Sequence, residues 1–204
     1  MYNHWSVDND DSVRAFEAIR HTVVPKLIAG QIIRVEKQDN EILLTIDQKA
    51  GIDYIRSNDT GLQGIAWRAQ WGDRAWDTFT IRYKRHSGAE TEYEKRVSQI
   101  REGYMYPAFT MQGYFTDRET NRPLSVGIVK TLDLYQLLID QPSVAHHNQS
   151  DNEFLFVRWS DIPQMKEWHT QNRCTWHSRT RQGNASWLTG CVGCDNLRES
   201  EVVE

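Results

Sequence analysis

Apolar positions recur at helical spacing early in the chain, at Val13, Phe16, Ile19, Val23 and Leu27, and predict a helix over 11–28. The run Asp8-Asn9-Asp10-Asp11-Ser12 supplies capping chemistry before it, Pro25 shortens its last turn, and Gly30 stops it. Short apolar or alternating runs follow at 31–37, 41–46, 51–55, 62–70 and 77–84. Turn residues separate several of them, among them Gln38-Asp39-Asn40 and the stretch 57–61. These five strands read as an antiparallel meander.

Helical composition returns over 88–103, with Thr91 as a cap and Glu–Lys/Arg spacings that suit an exposed face. Strands at 108–115 and 124–130 come next, then a short helix over 131–140 that ends before Gln141-Pro142. A polar loop over 141–152 carries the adjacent His146 and His147. A last strand at 153–159 leads into a helix-like stretch over 161–170. The order of helix, meander, helix, strands, helix and strand predicts an α+β fold, a mixed or antiparallel sheet flanked by helices.

The chain has 204 residues, 39% of them hydrophobic and 25% charged, which suits a globular domain with a small appendage. The expected division is a domain over 1–160 and an appendage over 161–204. No apolar run approaches the ~20 residues of a membrane span. The polar, acidic start is no secretory signal, and three cysteines, all beyond residue 173, argue against a disulfide scaffold. A cytoplasmic location without membrane contact is the expectation.

A net charge of -4 does not mark a basic nucleic-acid binder, so any such role rests on local clusters. Basic residues gather at Arg82, Lys84, Arg85 and His86, and again at Arg173, His177, Arg179 and Arg181. Eight tryptophans are core material or, where exposed, platforms on which unpaired bases stack.

The most informative stretch is 47–85. Asp53 stands inside Gly51-Ile52-Asp53-Tyr54-Ile55, and an aspartate among such neighbours gains nothing from sheet packing. In 62–70, alternation places Gly64, Ala66, Arg68 and Gln70 on one face and Ile65, Trp67 and Ala69 on the other. With the apolar face inward, Arg68 and Gln70 look outward beside Asp53.

An acid, a cation and an amide gathered on neighbouring strands suit a divalent metal or a phosphate. Asp53 would bind a hard cation, Arg68 would face a phosphate or its transition state, and Gln70 would orient water or phosphate. The plainer alternative is an exposed Asp53–Arg68 ion pair, worth under ~1 kcal/mol. Arg82 and Lys84 share a strand face, with His86 in the following loop, and would grip a phosphate backbone. Glu92 and Glu94 open the next helix beside its dipole.

A helix followed by a meander, with G-x-D-φ-φ in one strand and φ-x-φ-(K/R) in the next, resembles the PD-(D/E)XK nuclease superfamily over residues 11–130. The resemblance implies that Asp53 and a second acid hold Mg2+ or Mn2+, that Arg68 takes the place of the family's lysine, and that Glu17 matches a glutamate of the first helix. The second acid belongs two residues before Arg68, where this chain has Ala66. Arginine also stays protonated and cannot act as a base. Either Asp47, Glu92 or Glu94 supplies the missing ligand, or the site binds without cleaving.

Near the C-terminus, Cys174-x2-His177 and Cys191-x2-Cys194 have the spacing of paired knuckles around a tetrahedral Zn2+. His169 is an alternative to His177. Such a site would be structural, with four protein ligands and no open position. The expectation is therefore a metal-dependent nuclease-like protein, with Asp53, Arg68, Gln70, Glu17 and Glu94 at its centre. Its partner would be nucleic acid, DNA ahead of RNA. The alternative is a non-catalytic factor of phage or mobile-element type that binds nucleic acid or another protein.

Overall fold

The computed structural model describes residues 4–35, 40–141, 145–147 and 153–170, with the backbone alone for 4–8, 146 and 147. The first helix, α1 (His4–Ile19), starts earlier and ends sooner than its periodicity predicts. Val23 and Leu27 fall instead before and within a separate short helix, α2 (Val24–Leu27), whose first turn holds Pro25. Proline is tolerated there because its missing N–H would have no partner in that turn.

After β1 (Gln31–Arg34), the strand expected at 41–46 is instead a helix, α3 (Glu41–Thr45), running into a single π-type turn (Ile46–Ala50). The reason is a cap: the Asn40 side chain accepts the Ile42 N–H at 2.9 Å, satisfying a donor at the helix start. The chain then forms β2 (Tyr54–Asn58), β3 (Gly61–Trp71), β4 (Thr78–Arg82), α4 (Glu92–Glu102), β5 (Phe109–Phe115), β6 (Pro123–Lys130) and α5 (Thr131–Asp140). It finishes with β7 (Ala145–His147), β8 (Phe154–Arg158), a 3-10 turn at Trp159–Asp161 and β9 (Lys166–His169). Residues 166–169, expected to be helical, form an edge strand because β6 offers them a ladder from Ser125 to Ile128.

The central sheet has the order β1-β2-β3-β5-β6-β9, and a second sheet has the order β4-β8-β7. The expected meander is thus limited to β1, β2 and β3. β4 leaves for the second sheet, and β5 runs parallel to β3, a pairing that requires a crossover, here containing α4. The α+β class is as expected, with a mixed sheet. Because β9 pairs with β6, this sheet extends past residue 160.

Two apolar clusters lie on the two faces of the central sheet. Phe16, Ile19 and Leu27 pack with Tyr54, Ile65 and Met111 in the first. Phe79, Ile81, Tyr114, Leu134 and Trp159 pack in the second, under the small sheet and α5. Ile65 lies in the first cluster with Trp67, Ala69 and Trp71 packed against it, as the alternation predicts. The opposite row of β3 therefore faces β4 and α4. Among the described residues, no helix is long and apolar enough to cross a membrane.

Candidate functional site

The approach to β2 is shaped by three consecutive residues. Gly51 takes a left-handed conformation (φ 63°), and its N–H returns to the Asp47 carbonyl at 2.8 Å, closing the π-type turn. Ile52 is buried and packs so tightly on Gly64 that a Cβ there would lie 2.6 Å from its Cδ1. Asp53 then joins the ladder: its N–H donates to the Ile65 carbonyl at 3.0 Å, and its carboxylate accepts the Trp67 N–H at 2.6 Å. An aspartate at this position thus has a structural role, because it supplies an acceptor to β3 just before β2 begins.

Helix α4 holds the preceding turn in place through its polar face. Lys95 Nζ donates to the Gln48 carbonyl at 2.6 Å, Gln99 Nε2 to that of Lys49 at 2.8 Å, and Arg96 to that of Ala50 at 2.7 Å. Thr91 caps the helix, and Glu94 completes a capping box by accepting the Thr91 N–H at 2.9 Å. That bond, with a second from the Thr91 hydroxyl, holds the Glu94 carboxyl below its ordinary value. Glu94 is therefore committed to the cap and does not line the cleft described next.

A cleft of about 390 Å³ lies between the polar face of β3, strand β4 and α4. Its wall carries the carboxylates of Asp53, Glu90 and Glu92, with the cations Arg68, Arg85, Lys95 and Arg96. Arg68 reaches across two layers, donating to the Thr80 carbonyl of β4 and to the Glu92 carboxylate of α4. Burial lowers the Lys95 pKa, and neighbouring Arg96 adds to that effect. Glu90, Asp47 and Asp53 oppose it, so all three acids act on this end of the cleft.

Arg82 shows how dense the positive charge is. Burial lowers its pKa first, followed by the charges of Arg68 and Arg85, while Glu92 opposes them. Among the described residues, the buried Nε atoms of Arg82 and Arg85 have no hydrogen-bond partner. Arg82 itself lines not this cleft but a second, larger cavity of about 1000 Å³, which shares Trp67 and Arg68 with the first. Gln70 lies in this second cavity, donating to the Thr80 hydroxyl at 3.0 Å.

The structure gathers Asp53, Arg68, Gln70 and Arg82 within these two adjoining cavities. It places the other expected residues elsewhere. Glu17 is exposed on α1 and pairs with Arg20 at 3.2 Å. Lys84 pairs with Glu153 at 3.0 Å, and His86 is exposed in the loop after β4. His169 is buried in β9, where Trp159 lies edge-on to it. Cys174, His177, Cys191 and Cys194 fall outside the described residues.

Sequence reasoning missed Gln112, which is 1% exposed and anchors the cleft floor. It pairs with Arg68 in register, accepts the Thr80 N–H at 2.9 Å and donates to the Tyr114 hydroxyl at 3.0 Å. A glutamine amid Phe109–Phe115 was the available signal, a polar residue inside an apolar strand. Glu90, Lys95 and Arg96 were missed because only the packing of α4 brings them to the cleft.

Among the described residues, no three His, Cys, Asp or Glu side chains are grouped to hold a metal ion. Ala66 faces the cleft where a second ligand of the β3 row would stand, and Glu92 is engaged by Arg68. Compared with known proteins, the chain matches no family model, no curated protein and no solved structure.

Proposed function

We propose that this chain binds the phosphodiester backbone of nucleic acid along the polar face of β3, as a degenerate relative of the PD-(D/E)XK nucleases that grips without cutting. The observation that carries this reading is the gathering of Arg68, Arg82, Arg85, Lys95 and Arg96 along two adjoining cavities, where they outnumber the carboxylates of Asp53, Asp73, Glu90 and Glu92. Like charges held together cost free energy in the empty protein, and an incoming polyanion relieves it. Arginine suits the task because its planar fork engages phosphate oxygens while remaining charged. The helix-then-meander order of α1 and β1–β3, with Asp53 and Arg68 opening onto one cleft, supports the nuclease-like ancestry.

The test is binding of fluorescent DNA and RNA by anisotropy across a salt series. The expected affinity is insensitive to sequence and falls as salt rises. Arg82→Ala and Arg85→Ala should each weaken binding and reduce the log–log salt slope by about 1. Absence of binding at low ionic strength, or affinities unmoved by both substitutions, would overturn the proposal.

A second reading, hydrolysis with Mg2+ or Mn2+, is favoured by Asp53, Glu90 and Glu92 lining the same cleft. It requires the Arg68–Glu92 pair to open so that Glu92 can turn to share a cation with Asp53. Its signature is metal-dependent cleavage that Asp53→Asn abolishes. The proposed structural Zn2+ at Cys174, His177, Cys191 and Cys194 is checked by metal analysis of the purified protein.

A further inference from the structure

The larger cavity has a different character from the charged cleft beside it. β2 accompanies β3 only as far as Ile65, and β5 takes the other edge through Trp71. From Ala69 to Trp71, the outer edge of β3 therefore has no strand beside it among the described residues. The cavity of about 1000 Å³ opens here, and Trp71, Trp76 and Phe154 are among the aromatic residues that line it, with Trp67 and Tyr114.

Trp71, Trp76 and Phe154 each carry a guanidinium. Arg118 lies 4.6 Å from the Trp71 centroid, Arg74 lies 4.6 Å from that of Trp76, and Arg82 lies 5.4 Å from that of Phe154. Arg118 is also tied to Asp11 at 2.7 Å, which holds it over Trp71. Arg74 and Arg82 form no ion pair among the described residues. Trp76 is 64% exposed, so its ring is open to a stacking partner.

We infer that this cavity is a stacking groove for single-stranded nucleic acid, in which Trp76 and Phe154 take unpaired bases while Arg74 and Arg82 take the phosphates between them. The inference rests on the backbone-binding function proposed above and names its substrate class. Alternating flat rings with cations is the chemistry of strands whose bases are free, since every base offers a π-face and every linkage a charge. A duplex hides those faces in its own stack and can use only the arginines. A purely anionic polymer gains nothing from Trp76, and a purely apolar partner gains nothing from the arginines.

The full chain is titrated with a labelled oligodeoxythymidylate of about 10 nucleotides, with a duplex of the same length, and with inorganic polyphosphate as competitor. The single strand should bind at least about tenfold tighter than the duplex and quench tryptophan emission. Trp76→Ala should weaken the single strand about tenfold while leaving the duplex unchanged. Its exposure leaves the fold intact, which matching thermal midpoints verify. Phe154→Leu should act in the same direction, and Arg82→Ala should weaken both forms.

Equal affinity for both forms with no effect of Trp76→Ala would overturn the stacking groove while leaving backbone binding in place. Equally effective competition by polyphosphate for wild type and Trp76→Ala would do the same. If neither nucleic acid binds, the groove and the proposed function fall together.

Discussion

The Asp53 carboxylate accepts the Trp67 N–H at 2.6 Å, so a side chain continues the ladder of β3 beyond the last paired residue of β2. The same carboxylate faces the charged cleft and acts on Lys95. Structure and electrostatics thus meet in one group, and two substitutions separate them.

Asp53→Ala leaves the Trp67 amide without its acceptor and should destabilise the fold by about 1 to 3 kcal/mol. Asp53→Asn keeps an oxygen for that amide and should cost much less, while removing one negative charge from the cleft. Urea denaturation measures the first effect. For function, Asp53→Asn should bind nucleic acid at least as well as wild type. Loss of a metal-dependent cleavage activity in this variant would instead favour hydrolysis.

Glu92 and Arg68 form an ion pair whose side chains are 25% and 33% exposed. At that exposure solvent screens the attraction, so Glu92→Gln should change stability by less than about 1 kcal/mol. It should release Arg68 toward an incoming phosphate and remove a repelling charge, raising affinity for nucleic acid up to about fivefold. Weaker binding by Glu92→Gln would mean that the pair positions Arg68 rather than restrains it.

The turn between β5 and β6 should contribute to acid stability. The Asp117 carboxyl is held down to about 2 from 3.8, first by the Thr120 N–H and then by the hydroxyls of Thr120 and Thr116. A value depressed by folding means that the ionised form stabilises the native state. That contribution is complete above 3.8 and is lost as pH falls through about 2. Asp117→Ala should flatten the fall of the urea midpoint in this window and lower the midpoint at neutral pH. An unchanged acid limb would assign the loss of stability to other carboxylates.

Gly113 on β5 pairs in register with Ala69 of β3. A Cβ at this position would lie 2.6 Å from Trp67 Cη2 and 2.8 Å from Phe115 Cε2. Both rings belong to the packing around α1, and Trp67 is further fixed by its indole N–H, which donates to the Ser12 carbonyl at 2.9 Å. Gly113→Ala should destabilise by about 1 to 3 kcal/mol through overpacking, read as a drop in thermal midpoint. A neutral outcome would show that Trp67 can shift without loss.

Local features were legible in the residues alone. Alternation in β3 separated Ile65 and Trp67 from Arg68 and Gln70, because successive strand side chains must point to opposite faces. Thr91 was readable as a cap, and 131–140 as a helix, because both depend on interactions within one or two turns. The stretch 41–46 misled because apolar residues without a clear period suit either state, and a single side chain, Asn40, tipped the balance toward a helix.

The partners of each element were decided only by the folded chain. Nothing local distinguishes a β4 that continues the meander from one that joins β8, more than seventy residues away, or a β5 that runs parallel to β3. Those choices follow from burying both faces of one sheet at once, a condition set by distant residues together. The site depended on them most: Asp53 and Arg68 were visible as candidates in the sequence, whereas Glu92, Gln112 and the arginine-covered rings came together only when α4, β5 and β8 packed around β3.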